Sequence, residues 1–111
     1  MASKQAPLHL KPSTRRWWAS VVREYALEGH HVRLLTLAAE AWDRCQEARE
    51  RIEQDGAYVV DRFGQLKPHA AIGVEHASRV GFARLLRELD LDVDGPAEAS
   101  RPAQLRRYQS A

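Results

Sequence analysis

The pattern of apolar and polar positions is dominated by one long helical run, from Val32 to Gln54. In its first half the polar residues form a single narrow stripe of Arg33, Thr36 and Glu40, and apolar residues fill most other positions. A helix that is apolar on nearly every side must be covered on nearly every side. The pattern therefore predicts a central helix, beginning near His31, around which the rest of the fold is built.

Two shorter helices and a hairpin accompany the central helix in the sequence. Ser13 is placed to cap a first helix over about Thr14 to Leu27, and Gly29 would supply a left-handed stop after it. The segment 58–67 places two short runs on either side of the turn Asp61-Arg62-Phe63-Gly64, and a turn with glycine in the left-handed position is typical of a short β-hairpin. A third helical pattern covers about Ala70 to Leu89.

These elements predict a mainly α fold: a three-helix core with a long central helix, a short β-hairpin before the last helix, and flexible tails. We expect residues 1–12 to form a flexible basic arm, because they are polar and contain two prolines. Residues 13–91 form the predicted helical domain. Residues 92–111 have little apolar periodicity and are expected to form a flexible tail.

The central helix is too long and too apolar for its own chain to cover. Its length of ~36 Å exceeds the roughly 25–30 Å diameter of a compact domain of ~80 residues. The hairpin strands are also too short to be stable alone, so their apolar residues need a surface on the helices or on a neighbouring copy. We therefore expect a homo-oligomer. Its predicted interface comprises Leu34, Leu35, Ala38, Trp42, Tyr58, Val60, Leu66, Val80 and Leu86.

Charge is unevenly distributed along the chain, although the formal net charge is only +2. Residues 1–23 contain five basic side chains and no acidic one, whereas residues 24–55 contain four basic and eight acidic ones. A basic leading end suits an anionic polymer such as DNA, although an ordinary solvated terminus explains the charge equally well. The candidate DNA-binding residues are Lys11, Arg15, Arg16, Arg23, Lys67, Arg101, Arg106 and Arg107.

The residue types argue against an enzyme, a metal site or a membrane protein. The sequence lacks a phosphate-binding loop, a nucleophile elbow and a dinucleotide fingerprint. The adjacent His30 and His31 are expected to point to different sides of a helix, so we expect neither a metal nor a cofactor. Cys45 cannot form an intrachain disulfide and is expected to be a small buried side chain. No apolar stretch reaches transmembrane length.

Trp17 and Trp18 follow Arg15 and Arg16 directly. Aromatic rings beside arginines could stack on bases of single-stranded nucleic acid. Two adjacent helical residues differ in direction by about 100°, so at most one of these rings is expected to be exposed. Packing of the first helix against the central helix is therefore the favoured interpretation.

The order and spacing of several residues resemble a known family. The first helix bears tryptophans, a glycine ends the long helix, a hairpin with a glycine follows, and a lysine and a histidine lead into a last helix that closes with leucines. The matching residues are Trp17, Trp18, Trp42, Gly56, Gly64, Lys67, His69, Ala71, Leu85, Leu86 and Leu89. On these residues the chain resembles the small terminase subunits of tailed bacteriophages over about Ser13 to Leu91. The family has a proline at the start of the last helix, whereas this chain has Ala70 at that position. The resemblance therefore does not fix the residue at which the last helix begins.

The resemblance implies a ring-shaped homo-oligomer that binds double-stranded viral DNA. It implies delivery of that DNA to the large terminase subunit, the ATP-driven nuclease and motor, with no catalysis by the small subunit itself. The expected location is the cytoplasm of the infected bacterial host. Two alternatives remain: a small dimeric regulator whose first two helices imitate a helix-turn-helix, and an adaptor that binds another protein without contacting DNA.

Overall fold

A computed structural model describes residues 5–91 of the chain. Within them lie helix α1 (Pro12–Glu24), helix α2 (Gly29–Asp55), strand β1 (Tyr58–Val60), strand β2 (Leu66–Pro68) and helix α3 (Ala71–Leu89). The predicted architecture is confirmed, since the described chain is mainly helical with a long central helix and an antiparallel hairpin before the last helix. Residues 1–4 and the predicted tail, 92–111, lie outside the described residues.

Helix α1 begins two residues earlier than predicted, and hydrogen bonds tie its start to α2. Pro12 occupies its first turn, where a fixed φ and a missing N–H are well tolerated, and Lys11 is the N-cap. Asp43 of α2 accepts hydrogen bonds from the backbone N–H of Lys11 at 2.8 Å and from the Thr14 hydroxyl at 2.5 Å. The prediction that Ser13 caps α1 is therefore wrong, because Ser13 lies inside the first turn and Lys11 occupies the N-cap position without a side-chain capping hydrogen bond.

The connection between α1 and α2 also differs from the prediction. Gly29 is not a left-handed stop but the first residue of α2, and the described glycines with positive φ are Gly56 and Gly64. Glu28 is the N-cap of α2 in an extended conformation, and its backbone N–H donates to Nδ1 of His31 at 3.2 Å in a capping box. This local hydrogen bond caps the start of α2, so the connection needs no glycine in a left-handed conformation.

The segment before α1 packs onto the helices, so the prediction of a flexible arm over 1–12 is wrong for its described part. Leu10 is 4% exposed and belongs to the hydrophobic core. Nε2 of His9 lies 2.8 Å from Oε2 of Glu40 on α2. Leu10, the contact between His9 and Glu40, and the Lys11 N–H that donates to Asp43 hold this segment, and isolated contacts of this kind leave no periodic pattern in the sequence.

The hydrophobic core lies where α1, the first half of α2 and the end of α3 meet. Its buried residues are Leu10, Trp18, Val21, Leu35, Ala39 and Leu89. Trp18 is 2% exposed, and its Nε1–H donates to Oγ1 of Thr36 at 3.1 Å. Because the indole ring is buried and its N–H is satisfied, Trp18 packs α1 against α2, as the favoured interpretation predicted.

A buried polar contact joins α2 to α3. The thiol of Cys45, only 6% exposed, lies 3.9 Å from Oε2 of Glu75, and Arg79 pairs with the same carboxylate from the next turn of α3. The side-chain hydrogen bond to Glu75, reinforced by charge attraction, raises the pKa of Arg79. Cys45 is thus the small buried residue that the sequence predicted.

The hairpin projects from the end of α2 and is closed by a turn with a left-handed glycine, as predicted. Gly64 has a φ of 79°, and its N–H donates to the carbonyl of Asp61 at 3.0 Å. Oδ1 of Asp61 accepts the N–H groups of Phe63 and Gln65, which fixes the turn. At the base, His69 places Nε2 2.8 Å from Oδ2 of Asp55, the last residue of α2.

Candidate nucleic-acid and self-association surfaces

Two arginines give α1 a basic face directed away from the core. Arg16 and Arg23 are both exposed and seven residues apart, so they lie on the same side of the helix, ~10 Å apart along its axis. Trp18 and Val21, which are buried, lie on the opposite side. Neither arginine forms an ion pair with any residue in the range 5–91. The two guanidinium groups are therefore placed to contact an external anion.

Arg15 lies beside this basic face and is half-buried. Among the described residues its Nε is a buried atom without a hydrogen-bond partner. Arg15 and Arg16 both line a shallow concavity together with Gln5, Ala6, Pro12 and Ala19. A buried donor without an acceptor is unfavourable by about 1–3 kcal/mol.

The other predicted basic contacts are paired or lie elsewhere. Nζ of Lys11 lies 3.7 Å from Oε1 of Glu50, and Nζ of Lys67 lies 3.7 Å from Oδ2 of Asp61. Lys67 belongs to β2, so the structure does not bring it onto the basic face of α1. The remaining candidates lie outside the described residues; they are Arg101, Arg106 and Arg107.

The hairpin turns its apolar face to solvent. Val60 pairs with Leu66 in the antiparallel register, and Tyr58 lies two residues before Val60, so the three side chains share one face of the ribbon. Tyr58 is 62% exposed, Val60 is 65% exposed and Leu66 is 69% exposed. Val59, on the other face, is half-buried. These three residues are here named the apolar hairpin face, and within the described chain nothing covers it.

The structure divides the predicted interface residues into three groups. Leu35 and Ala38 are 0% exposed, so their assignment to an interface between copies is wrong: the chain buries them itself. Leu34 and Leu86 pack against the core and are half-buried, and Val80 is also half-buried. The members that expose a large apolar surface are Trp42, Tyr58, Val60 and Leu66.

Three aromatic rings from three different helices line a groove beside α2. The Phe82 ring centroid lies 6.1 Å from that of Trp17 and 5.2 Å from that of Trp42, with tilted ring planes. The groove has a volume of about 300 Å³, and Ser13 and Thr14 complete its lining. These five residues are here named the aromatic groove. Sequence analysis did not single out Phe82, because one aromatic residue in a helical pattern looks like an ordinary core position.

The histidines at the start of α2 are closer together than expected. The ligand atoms of Glu28, His30 and His31 lie within 4.8 Å of one another, and the two imidazole centroids are 4.1 Å apart. The expectation that adjacent histidines point to different sides of a helix is thus wrong for His30 and His31. Both lie in the first turn of α2, and Glu28 is the N-cap residue that precedes this turn. Glu28 and His31 already serve the capping box described above, and Glu28 and His30 are exposed.

Comparison of the chain with known family models, with curated proteins and with solved structures finds no match. Among residues 5–91, no helix combines the length and the apolar composition that crossing a bilayer requires.

Proposed function

We propose that this protein is the small subunit of a viral terminase. In this proposal it is non-catalytic, forms a ring of identical copies, binds double-stranded viral DNA and helps the large ATPase and nuclease subunit to start genome packaging. The resemblance described above suggests the family. The observation that carries self-association is the apolar hairpin face, because three large side chains turned to water on a marginal two-stranded ribbon need a cover.

Contact with DNA is supported by the basic face of α1. One copy offers two unpaired arginines, Arg16 and Arg23, with Arg15 beside them, and so few phosphate contacts bind DNA weakly. A closed ring presents this set once in every copy. Linked sites of this kind raise the overall affinity without any new contact, because binding at one site holds the others near the same duplex.

The regulator alternative has less support. A reading helix exposes polar residues in its first turns, where they meet base edges. In the first turns of α2, Leu35 and Ala38 are fully buried and Val32 packs against the core. This end of α2 therefore belongs to the interior, which leaves α1 as the better candidate for a DNA contact through phosphates.

The proposal is tested by removing the basic face. The variant Arg16→Ala/Arg23→Ala should weaken binding of a fluorescent DNA duplex, measured by anisotropy at about 50 mM and about 200 mM salt. The slope of log affinity against log salt should become shallower by about one for each phosphate contact that is lost. Helical content, measured by circular dichroism, should not change, since both side chains are exposed.

A matched control removes the same charge elsewhere. Arg84→Ala/Arg87→Ala deletes two exposed arginines of α3, and it should leave the salt slope close to that of the unmodified protein. Equal losses in both double variants would mean that net charge alone attracts DNA. An unmodified protein with no salt-dependent DNA binding would support the adaptor alternative instead.

A further inference from the structure

We propose that the apolar hairpin face of one copy seats on the aromatic groove of a neighbouring copy. This inference rests on the self-association in the proposed function and names the two surfaces that meet. It assigns the groove, formed by Ser13, Thr14, Trp17, Trp42 and Phe82, as a binding site for a segment of an identical chain.

The donor surface is rigid enough to bind as a unit. Asp61 fixes the turn through two backbone hydrogen bonds, and His69 ties the base of the ribbon to the end of α2 through Asp55. Only one face of the ribbon is strongly apolar. The opposite face carries Val59, which is half-buried, and Lys67, which is exposed and paired within the hairpin.

The acceptor surface is the aromatic groove rather than a second apolar strip between α2 and α3. That second strip contains Leu37 and Val74 but is also lined by the charged side chains of Glu40 and Arg44. Docking there would remove water from both charges, which is unfavourable unless the partner pairs them. No charged residue lines the aromatic groove, so an apolar ribbon can cover it without that penalty.

The hairpin cannot reach the aromatic groove of its own chain. Trp42 lies thirteen residues before the end of α2 at Asp55, a distance of ~20 Å along the helix axis. Each strand of the hairpin has three residues and spans only ~10 Å. The apolar hairpin face is also exposed instead of lying along the helices. The groove can therefore receive the hairpin of another copy.

A contact between two different patches has a consequence for the assembly. When a patch on one copy meets a different patch on the next, an open chain of copies has one free donor at one end and one free acceptor at the other, until the chain closes. Such heterologous contacts generate a ring where the rotation between copies closes and a filament where it does not, whereas hairpin packed against hairpin would produce a two-fold dimer. The donor and acceptor found here are the pair of surfaces that a ring needs.

The exposed area of the hairpin is large enough for a contact between copies. Tyr58, Val60, Leu66 and the turn residue Phe63 each expose more than three-fifths of their surface. Together they offer ~500 Å² of mostly apolar area, over half of the ~800 Å² that each partner contributes to a standard interface.

Thiol cross-linking tests the contact in the full-length protein. Leu66→Cys places a thiol in the apolar hairpin face, and Ser13→Cys places one at the aromatic groove; both positions are exposed. The two variants carry tags of different mass, are mixed, and are treated with a short bismaleimide. We expect cross-linked dimers containing one copy of each variant, and a ladder of larger products from the double variant Leu66→Cys/Ser13→Cys. Cys45 is buried, so the unmodified protein serves as the background control.

Each other result overturns the inference. Cross-links between two copies of Leu66→Cys would show two-fold packing of hairpins. Efficient cross-linking of Leu66→Cys to Ala77→Cys would place the hairpin on the second apolar strip. An oligomer without any of these cross-links would exclude the groove but leave the proposed function intact, whereas a monomer at every concentration in light scattering would remove both.

Discussion

Asp43 is the residue that joins the N-terminal segment to the rest of the fold. It is 8% exposed, and its two carboxylate oxygens accept the Lys11 N–H and the Thr14 hydroxyl. Asp43→Ala leaves both donors without an acceptor inside the protein, so the free energy of unfolding should fall by about 1–3 kcal/mol. Urea denaturation followed by circular dichroism measures this change.

The control for this prediction is Glu50→Ala, which removes another carboxylate of α2 near the same segment. Glu50 reaches the Lys11 ammonium at 3.7 Å, but its side chain is 66% exposed. An exposed ion pair contributes about 0–1 kcal/mol, so this variant should be close to the unmodified protein in stability. If both variants lose the same small amount, the Asp43 contact does not anchor α1.

At the scale of elements, the hairpin depends on the conformation of one glycine. Gly64 has a φ of 79°, a region that is unfavourable by roughly 1–2 kcal/mol for a residue with a Cβ atom. Gly64→Ala should therefore speed amide hydrogen exchange in β1 and β2 by about tenfold or more, since ~1.4 kcal/mol corresponds to a factor of ten. Exchange in the middle of α2 should stay unchanged.

Gly64→Asn provides the comparison, because asparagine adopts the left-handed conformation more readily than alanine. It should restore much of the protection in the hairpin. Nothing lies within 4 Å of a Cβ atom built at Gly64, so neither variant introduces a clash. Equal exchange rates in Gly64→Ala and the unmodified protein would mean that the turn conformation does not limit hairpin stability.

Hydrophobic periodicity predicts the helices here, because each helix buries one side and repeats that requirement every 3.6 residues. The turn of the hairpin can also be predicted from the sequence, since Gly64 supplies a left-handed conformation that few other residues adopt. Leu10 and Asp43 were missed for a physical reason. Asp43 accepts hydrogen bonds from residues that lie 29 and 32 positions away, and Leu10 packs into a core formed by the helices that follow it. Isolated long-range contacts of this kind leave no repeat in the sequence.

The candidate surfaces, too, could be predicted only in part from the sequence. Arg16 and Arg23 were predicted as basic contacts, but Lys11 was grouped with them although its ammonium pairs with Glu50. The apolar residues of the hairpin were identified from the sequence, yet the direction of their shared face depends on how the ribbon leaves α2. The aromatic groove forms because the ring of Phe82 on α3 contacts rings from α1 and α2, and these contacts are visible only in the packed structure.

At the scale of the whole molecule, self-association and DNA binding should fail together when the hairpin face is made polar. Val60→Thr/Leu66→Thr changes two exposed residues, and threonine is β-branched, a shape that suits a strand. Each copy should therefore still fold. The mass measured by analytical ultracentrifugation across a range of concentrations should fall toward that of one chain, because the apolar surface that drives association is reduced.

The affinity for DNA should fall in the same variant although no basic residue has changed. A ring that loses its linkage loses the gain from multiple sites, which is commonly ~10²–10⁴ in affinity. Val74→Thr, at a 44% exposed apolar position on α3, is the control and should preserve both the mass and the DNA affinity. If the hairpin variant dissociates but binds DNA as tightly as before, single copies carry the DNA contact and the ring has another role. If it stays assembled, a surface other than the apolar hairpin face holds the copies together.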